Sequence, residues 1–212
     1  LLSPSRDLAA RFAALGWRRP APTALPLVRP IAPAPPPGAG PVRFLFASAV
    51  IPTKGPDRLL AAFAALPPGA ATLTIAGPAP PFALDPGYAA RLRGAAARTP
   101  GAQVVGAVPP QDVPALLHRH DVLVLPSTWP ENSPLIVREA AAAGLRVVAS
   151  SSGGARELDP GLRPLAPGAT IATITAALRA EIALGRGRRA PLQWPTPRAH
   201  AARLVRETYT AG

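Results

Sequence analysis

The chain has 212 residues and a mass of 21.7 kDa, which suits one α/β domain with a sizeable core, or one domain with part of a neighbour. Hydrophobic residues make up 48% and charged residues 16% of the sequence, and this balance excludes a disordered protein. The absence of cysteine excludes disulfides, thiolate zinc sites, iron–sulfur clusters and thiol catalysis. The sequence also has no methionine and no leader-like N-terminus, so we interpret it as a piece of a longer protein.

The net charge of +12 suggests two classes of partner, nucleic acids and anionic membrane surfaces. The arginines are scattered along the chain, apart from one cluster at residues 186–189, and Lys54 is the only lysine. A scattered distribution does not favour a nucleic-acid interface, so we expect no nucleic-acid partner. Reversible contact with a membrane surface stays open as an alternative.

The first 30 residues are too few to form a core of their own. Residues 1–5 are typical of the end of a strand, and residues 6–15 predict a short helix closed by Gly16. Residues 31–41 are rich in proline, which lacks an amide donor and favours extended backbone. We predict that this stretch is a linker between two structural units.

Beyond the linker, short apolar runs alternate with helical periodicities. The apolar runs predict five strands, at residues 42–47, 71–76, 103–108, 121–125 and 146–150. The periodicities predict helices at residues 57–66, 88–98, 113–118 and 134–143, and two more at 170–184 and 197–209. Strands that are apolar on both faces and are followed by helices indicate an α/β fold, a doubly wound parallel sheet covered on both sides.

In such a sheet, ligands bind where the strands end and loops lead into helices. Familiar phosphate motifs are absent: there is no Gly-x4-Gly-Lys-Ser/Thr, and the Gly-x-Gly at residues 38–40 precedes a strand instead of following one. No Asp-x-Asp pair is present for a metal–diphosphate clamp. The group His118, His120 and Asp121 is more simply the polar end of a helix than a metal site, so we predict no metal ligands.

Residues 125–144 carry the most informative pattern. Ser133 suits an N-cap and Pro134 the first helical position, so a helix is expected to begin there, with its free amides forming an anion site. Glu131 lies in the loop before this helix, whereas Glu139 lies inside it among apolar residues. Spacing alone leaves two interpretations of these carboxylates open: capping or surface charges, or acceptors for the hydroxyls of a sugar or ribose.

The run from Glu131 to Glu139 resembles the Glu-x7-Glu motif of retaining glycosyltransferases with the GT-B fold, especially family 4. Other segments resemble that family in the same order, at residues 52–63, 75–78, 105–108, 120–127 and 147–157. The resemblance covers nearly the whole chain but only half of the enzyme. It implies four regions: the end of the N-terminal acceptor-side domain (1–30), the linker (31–41), a Rossmann-like nucleotide-sugar donor domain (42–185), and a basic segment with the closing helix (186–212).

The resemblance also implies roles for particular residues. Lys54 would bind the diphosphate, Glu131 the hydroxyls of the donor sugar, and Glu139 those of the ribose; Lys54 and Glu131 would be the catalytic residues. The remaining donor-binding positions would be Gly77, Val108, Asn132, Ser133, Leu135 and Ile136. No cofactor is implied beyond the donor itself, most simply a UDP- or GDP-sugar.

The function implied is transfer of a sugar from a nucleotide-diphosphate sugar to a hydroxyl of an unknown glycan, lipid or small molecule, with retention of configuration. The expected location is cytoplasmic, or peripheral at the inner face of the membrane, and the chain alone is expected to be inactive without the N-terminal domain. The alternative is a non-catalytic nucleotide or nucleotide-sugar binding module, or a degenerate GT-B half. The chain departs from the family pattern at four positions, Ala49, Ala79, Pro134 and Arg146. Of these, Ala49 replaces a frequent arginine and predicts weaker donor binding.

Overall fold

The computed structural model describes residues 3–17 and 30–209, and its centre is one sheet of six parallel strands. The strand order is β3-β2-β1-β4-β5-β6. The strands are β1 (Val42–Ala47), β2 (Ala71–Ala76), β3 (Ala102–Gly106), β4 (Val122–Leu125), β5 (Arg146–Ser150) and β6 (Arg163–Leu165). The sheet confirms the predicted doubly wound α/β fold.

Helices follow the strands and cover both faces of the sheet. They are α1 (Arg6–Ala14), α2 (Pro56–Ala64), α3 (Tyr88–Ala97), α4 (Val113–His118), α5 (Leu135–Ala142), α6 (Ala155–Leu158), α7 (Ile171–Ala183) and α8 (Pro197–Tyr209). Two short 3₁₀ turns occupy Pro52–Lys54 and Pro110–Asp112. In the part of the chain that the structure describes, no helix combines the length and the apolar character needed to cross a bilayer.

The core of the sheet is formed by apolar strands that are buried along their length. Residues 44–46 of β1 and 122–124 of β4 are fully buried, as the continuous apolar runs predict. The prediction of only five strands was wrong, because β6 pairs in parallel with β5 and forms an edge of the sheet. This strand has three residues, with Pro164 at its centre, so it carries neither the length nor the apolar pattern by which strands are recognised.

The segments before the sheet lie against it. Leu1 and Leu2, part of the predicted strand end, lie outside the described residues, and Ser3 forms only an isolated bridge. The Pro-rich stretch has neither helix nor strand from residue 31 to 41, and Ile31 packs against the core. The amide of Ala34 donates to the carbonyl oxygen of Ala143, 2.9 Å away. The stretch is therefore docked, along part of its length, on the domain that contains the sheet.

Pairing of β1 with β4 creates the switch point of the sheet. From β1 the chain proceeds outward through β2 to β3, then crosses back to β4 and proceeds the other way through β5 to β6. The loops that leave the carboxyl ends of β1 and β4 consequently diverge to opposite sides. The crevice between them is the usual ligand position of a doubly wound sheet.

Buried ion pairs tie the amino-end of the sheet to the basic segment. Asp121 is fully buried and accepts hydrogen bonds from the amide, Nε and Nη2 of Arg43 at 2.9 to 3.1 Å and from Nε of Arg186 at 3.1 Å. Arg189 donates two bonds of 2.6 Å to the carboxylate of Asp159, which is also fully buried. The cluster at residues 186–189 therefore serves the interior of the domain, and its charges are largely engaged there.

Arg146, one of the departures from the family pattern, has a structural role of the same kind. Its Nε lies 2.7 Å from the Glu181 carboxylate of α7, and its Nη2 donates to the carbonyl oxygen of Gly185. Glu181 is almost completely buried and also pairs with Arg163 of β6. Arginine at this position thus helps to hold α7 against the edge strands.

The Asp121 cluster predicts a pH-dependent part of the stability. Burial acts to raise the pKa of Asp121, but the hydrogen bonds and charge of Arg43, with the charge of Arg186, outweigh it and hold that pKa below its usual value. A carboxyl whose pKa is lower folded than unfolded stabilises the fold above the unfolded pKa of about 3.9, and this contribution is lost as the pH falls through the folded pKa.

We expect Asp121→Asn to lower the free energy of unfolding at pH 7 by about 3 kcal/mol, because two arginines lose their buried counter-charge. The stability of the variant should also change less between pH 5 and pH 2 than that of the parent chain. Urea unfolding across this range measures both quantities. Asp7→Asn is the control, since the exposed Asp7–Arg11 pair on α1 should contribute less than about 1 kcal/mol. Equal losses in the two variants would contradict the assignment.

Candidate functional site

Lys54 and Glu131 meet at the switch point of the sheet. Lys54 ends the 3₁₀ turn after β1, and Glu131 lies in the loop between β4 and α5. The Lys54 Nζ donates to both carboxylate oxygens of Glu131, at 2.6 Å to Oε1 and 2.7 Å to Oε2. The Lys54 side chain is 23% exposed and that of Glu131 12%, so the pair is partly shielded yet open to a ligand.

The turn that carries Lys54 is held against the loop after β4. Gly55 has φ of +72°, and a Cβ there would lie 2.5 Å from the carbonyl oxygen of Pro126. The amide of Thr128 donates to the carbonyl oxygen of Thr53, 2.9 Å away. Backbone contact on both sides of Lys54 therefore fixes where its side chain begins.

The backbone of Glu131 is held by the loop after β5. Glu131 forms a parallel bridge with Gly153, and the amide of Gly154 donates to the Glu131 carbonyl oxygen at 2.7 Å. Glycine is required at 153, because φ is +93° and a Cβ would lie 2.0 Å from that same oxygen. At Gly154, a Cβ would lie 2.3 Å from the carbonyl oxygen of Asn132. The Gly-Gly pair thus packs directly against the backbone of the acidic loop.

The carboxylate of Glu131 has a second partner, Ser127. The Ser127 hydroxyl donates to Oε1 over 2.6 Å, and this side chain is only 3% exposed. Ser127 lies four residues before Glu131, directly after β4. Ser127 is not among the site residues predicted from the sequence, although it ends the segment 120–127 that resembles the family.

Helix α5 begins one residue later than predicted. Pro134 is the N-cap, with extended backbone (φ −71°, ψ 100°), and Leu135 is the first helical residue. The predicted roles of Ser133 as N-cap and of Pro134 as first helical residue were therefore wrong. The reason is that the ψ of Pro134 keeps it outside the helix, and the hydroxyl of Ser133 is buried without a hydrogen-bond partner among the described residues.

The start of α5, four residues after Glu131 in the chain, still offers amide donors. Leu135 and Ile136 occupy the first two helical positions, where backbone amides have no carbonyl partner within the helix. Leu135 is 42% exposed, so this end of the helix faces outward. Asn132, in the loop between Glu131 and the helix, is also exposed. The positive end of the helix dipole lies here as well, so the position suits an anion.

Glu139 lies eight residues beyond Glu131, half-buried on α5. Its neighbour Arg138 is almost completely buried, and its guanidinium lies 4.2 Å from the ring centroid of Trp194. Burial lowers the pKa of Arg138 from its ordinary value. The stacking joins α5 to the segment before the closing helix, so Glu139 is carried on a helix anchored from outside the sheet.

Gly77 and Val108 lie at the ends of β2 and β3, on the other side of β1 from β4. The amide of Gly77 donates to the carbonyl oxygen of Gly106 at 2.7 Å. A Cβ at Gly77 would lie 1.8 Å from the carbonyl oxygen of Ser48, so this glycine permits the close approach of the two loops. Val108 is half-buried against the core. The structure thus gives both residues packing roles at the carboxyl edge.

A cavity of about 510 Å³ lies between α2 and α3, with Pro52 at its edge. Its polar groups are occupied with each other, since the Tyr88 hydroxyl donates to Asp57 over 2.8 Å and Arg91 pairs with Asp85. Burial and the neighbouring Asp57 carboxylate raise the pKa of Tyr88. Neither Lys54 nor Glu131 lines this cavity, so it is separate from the pair at the switch point.

The arrangement at the crevice can do two things chemically. The Lys54 ammonium and the α5 amides can bind an anion, and the Glu131 carboxylate can accept hydrogen bonds from hydroxyl groups. No group of three His, Asp or Glu side chains suited to a metal ion occurs within residues 3–17 and 30–209.

The tight contact at Gly153 predicts a large effect of a single methyl group. Gly153→Ala should lower the free energy of unfolding by at least about 2 kcal/mol more than Gly69→Ala does, as urea unfolding measures. Gly69 is the matched control, because it also has positive φ (+79°) but nothing lies within 4 Å of its added Cβ. Both variants place alanine at a positive φ angle, but only the added methyl group of Gly153→Ala would clash with the backbone of Glu131. Equal losses would show that the Gly153 contact does not constrain the loop.

Comparison with known proteins agrees with this architecture. The family model described as glycosyl transferases group 1 matches residues 32–158, more than half of the chain. No curated protein matches it.

Among solved structures, sucrose-phosphate synthase from Thermosynechococcus elongatus is similar with a TM-score of 0.71 and 21% identity, over 86% of this chain and 48% of that one. HepE from Anabaena, solved with UDP and glucose, is similar with a TM-score of 0.58 and 22% identity, over 85% of this chain and 44% of that one. The third structure is the C-terminal domain of a glycosyl transferase group 1 family protein, LpcC from Francisella tularensis. It is similar with a TM-score of 0.56 and 20% identity, over 68% of this chain and 76% of that one.

At these identities the solved structures show the fold alone, which is that of a C-terminal GT-B domain. The chain spans less than half the length of the first two relatives. The family model carries the assignment further, and it agrees with the ordered motifs in the sequence. This chain belongs to the glycosyl transferases group 1 family.

Proposed function

We propose that residues 42–185 bind the donor of a retaining glycosyltransferase, a nucleotide-diphosphate sugar. The observation that carries the proposal is the contact between Lys54 and Glu131 at the switch point of the sheet. A cation for phosphate and an acceptor for hydroxyls stand within one hydrogen bond of each other. A nucleotide-diphosphate sugar has phosphate and sugar hydroxyls at a similar separation, because its sugar is attached directly to the diphosphate.

In this proposal, Lys54 and the amides of Leu135 and Ile136 bind the diphosphate. As the bond to the sugar breaks, negative charge grows on the diphosphate, and donors already in place stabilise it without rearrangement. Glu131 accepts hydrogen bonds from the sugar and holds it in the orientation for attack. A front-face attack by the acceptor hydroxyl retains the configuration and needs no nucleophile from the enzyme and no metal ion.

The nucleoside part is assigned to residues on both sides of the switch point. Glu139 accepts hydrogen bonds from the ribose hydroxyls, and the backbone near Gly77 and Val108 lies beside the diphosphate and base. Asn132 and Ser133 contribute to the loop around the sugar. HepE was solved with UDP-glucose, which supports a UDP-sugar as the first donor to test, with a GDP-sugar next.

The acceptor and any catalytic base are assigned to the remainder of the enzyme, since the relatives are about twice as long as this chain. We accordingly expect the chain to bind donor weakly and to transfer almost no sugar. Release of free nucleotide, measured with each donor and a panel of glycan, lipid and small-molecule acceptors, tests this expectation.

Titration of the chain with UDP-, GDP-, ADP- and dTDP-sugars by calorimetry tests the donor site. We expect one nucleotide to bind selectively, and Lys54→Ala and Glu139→Ala each to weaken it by about 10-fold, the effect of one charge-assisted hydrogen bond. Arg98→Ala is the control for loss of positive charge, because Arg98 is exposed at the C-terminal end of α3, the opposite edge of the sheet.

Two outcomes would overturn the proposal. A folded chain that binds none of the four donors would favour a degenerate half without a nucleotide site. Binding that weakens as much in Arg98→Ala as in Lys54→Ala would show that general charge, and not the crevice, attracts the ligand.

A further inference from the structure

The hydrogen bonds of the Lys54–Glu131 pair leave little room for a ligand. A carboxylate offers about four lone-pair positions. Three of them are filled here, two on Oε1 by Lys54 and Ser127 and one on Oε2 by Lys54. The ammonium of Lys54 has three protons, and two of them point at Glu131. While the pair is intact, a ligand can therefore use one acceptor position of the Glu131 carboxylate and one N–H donor of Lys54.

Backbone contacts hold both the Lys54 turn and the Glu131 loop in place, so the two loops do not move apart to open the site. The Lys54 turn is bound to the β4 loop through Thr53 and Thr128, and the Glu131 backbone is bound to Gly153 and Gly154. Because both backbones are fixed, the pair opens by rotation of the Lys54 side chain. Ser127 still holds Oε1 when Lys54 leaves, so the carboxylate keeps its orientation.

We propose, on the basis of the donor site above, that the Lys54–Glu131 pair is the closed resting state of that site and makes it discriminate an intact nucleotide sugar from the nucleoside diphosphate. The intact donor replaces both halves of the pair, since its phosphate receives Lys54 and its sugar hydroxyls donate to Glu131. A free nucleoside diphosphate takes Lys54 but leaves the shielded Glu131 carboxylate with Ser127 alone. Loss of a partner is costly for a shielded charge. Return of Lys54 to Glu131 therefore helps to expel the nucleoside diphosphate after transfer.

Ser127 is a positioning residue in this scheme, because it acts on the donor through Glu131. Its effect should appear in the preference for the intact donor, measured as the ratio of the two dissociation constants. A serine that only stabilised the loop would weaken both ligands together. The ratio thus separates the positioning role from a structural one.

The test compares UDP with UDP-glucose, and GDP with GDP-mannose, by calorimetric titration of four chains: the parent, Glu131→Gln, Lys54→Ala and the double variant. We expect Glu131→Gln to bind the nucleoside diphosphate about 5- to 10-fold more tightly than the parent does, because Lys54 is released from a charged partner. The same variant should lose most of the preference for the intact donor. Ser127→Ala should lower the preference about 3- to 5-fold, and Ser127→Thr should restore it.

The double variant separates release of Lys54 from simple removal of a negative charge. If charge alone acts, Glu131→Gln improves diphosphate binding at least as much in the Lys54→Ala background as in the parent, and the proposal is overturned. If the pair is the resting state, the improvement is larger when Lys54 is present.

The same titrations distinguish an error in the resting-state role of the pair from an error in the proposed donor site. If the parent binds no nucleotide but Glu131→Gln does, the pair closes the site and the proposed donor function of this chain is wrong. If the parent binds both ligands equally and Glu131→Gln changes neither affinity, the donor site stands and the resting-state role is wrong. If no variant binds either ligand, both proposals fall.

Discussion

The pairing of β1 with β4 is the constraint from which the candidate site follows. These two strands are neighbours in space although β2 and β3 separate them in the sequence. Their carboxyl ends are consequently adjacent, and the 3₁₀ turn with Lys54 and the loop with Glu131 start side by side. Seventy-seven residues of chain separate the two side chains, yet they form hydrogen bonds of 2.6 and 2.7 Å. Without this crossover the cation and the carboxylate would lie in unrelated loops.

Buried ion pairs at the amino end of the sheet account for part of the basic composition. Arg43 and Arg186 neutralise Asp121, Arg189 neutralises Asp159, and Arg146 and Arg163 share Glu181. The three carboxylates are buried, so each requires a partner with good geometry. A high count of arginines is therefore not by itself a surface for anionic partners. Part of the charge fastens β4, β5 and β6 to the segment that precedes the closing helix.

The sequence was sufficient for the parts of the fold that local pattern controls. The bounds of β1, β2, β5, α4 and α8 agree with the residues predicted, because each is a clear apolar run or helical period. Strand β6 and helix α6 were missed, since three or four residues do not establish a period. The start of α5 was misplaced because the prediction used the residue preferences of Ser133 and Pro134, whereas the ψ angle of Pro134 decides it.

For the site, the sequence could name Lys54 and Glu131 but not their contact. That contact depends on strand order, which no local pattern specifies. The support for Glu131 was equally hidden, because the bridge to Gly153 joins loops 22 residues apart and depends on backbone shape. Ser127 lies in the family-like segment 120–127, but its role depends on the loop after β4, which brings the Glu131 carboxylate within 2.6 Å of the Ser127 hydroxyl. Residue type was thus predictable and mutual geometry was not.

Because residue 49 is alanine, the ion pair of Lys54 with Glu131 uses the single cation of the β1 loop. The loop from Ser48 to Gly55 contains a single basic residue, Lys54, because alanine stands at 49 where the resemblance leads one to expect arginine. An arginine there would offer a phosphate a cation that is not shared with Glu131. In this chain, the cation of the β1 loop is the one that neutralises the carboxylate. In the proposed donor site, anion binding by Lys54 is therefore coupled to the hydrogen bonds of Glu131, so the phosphate and the sugar hydroxyls would not bind independently.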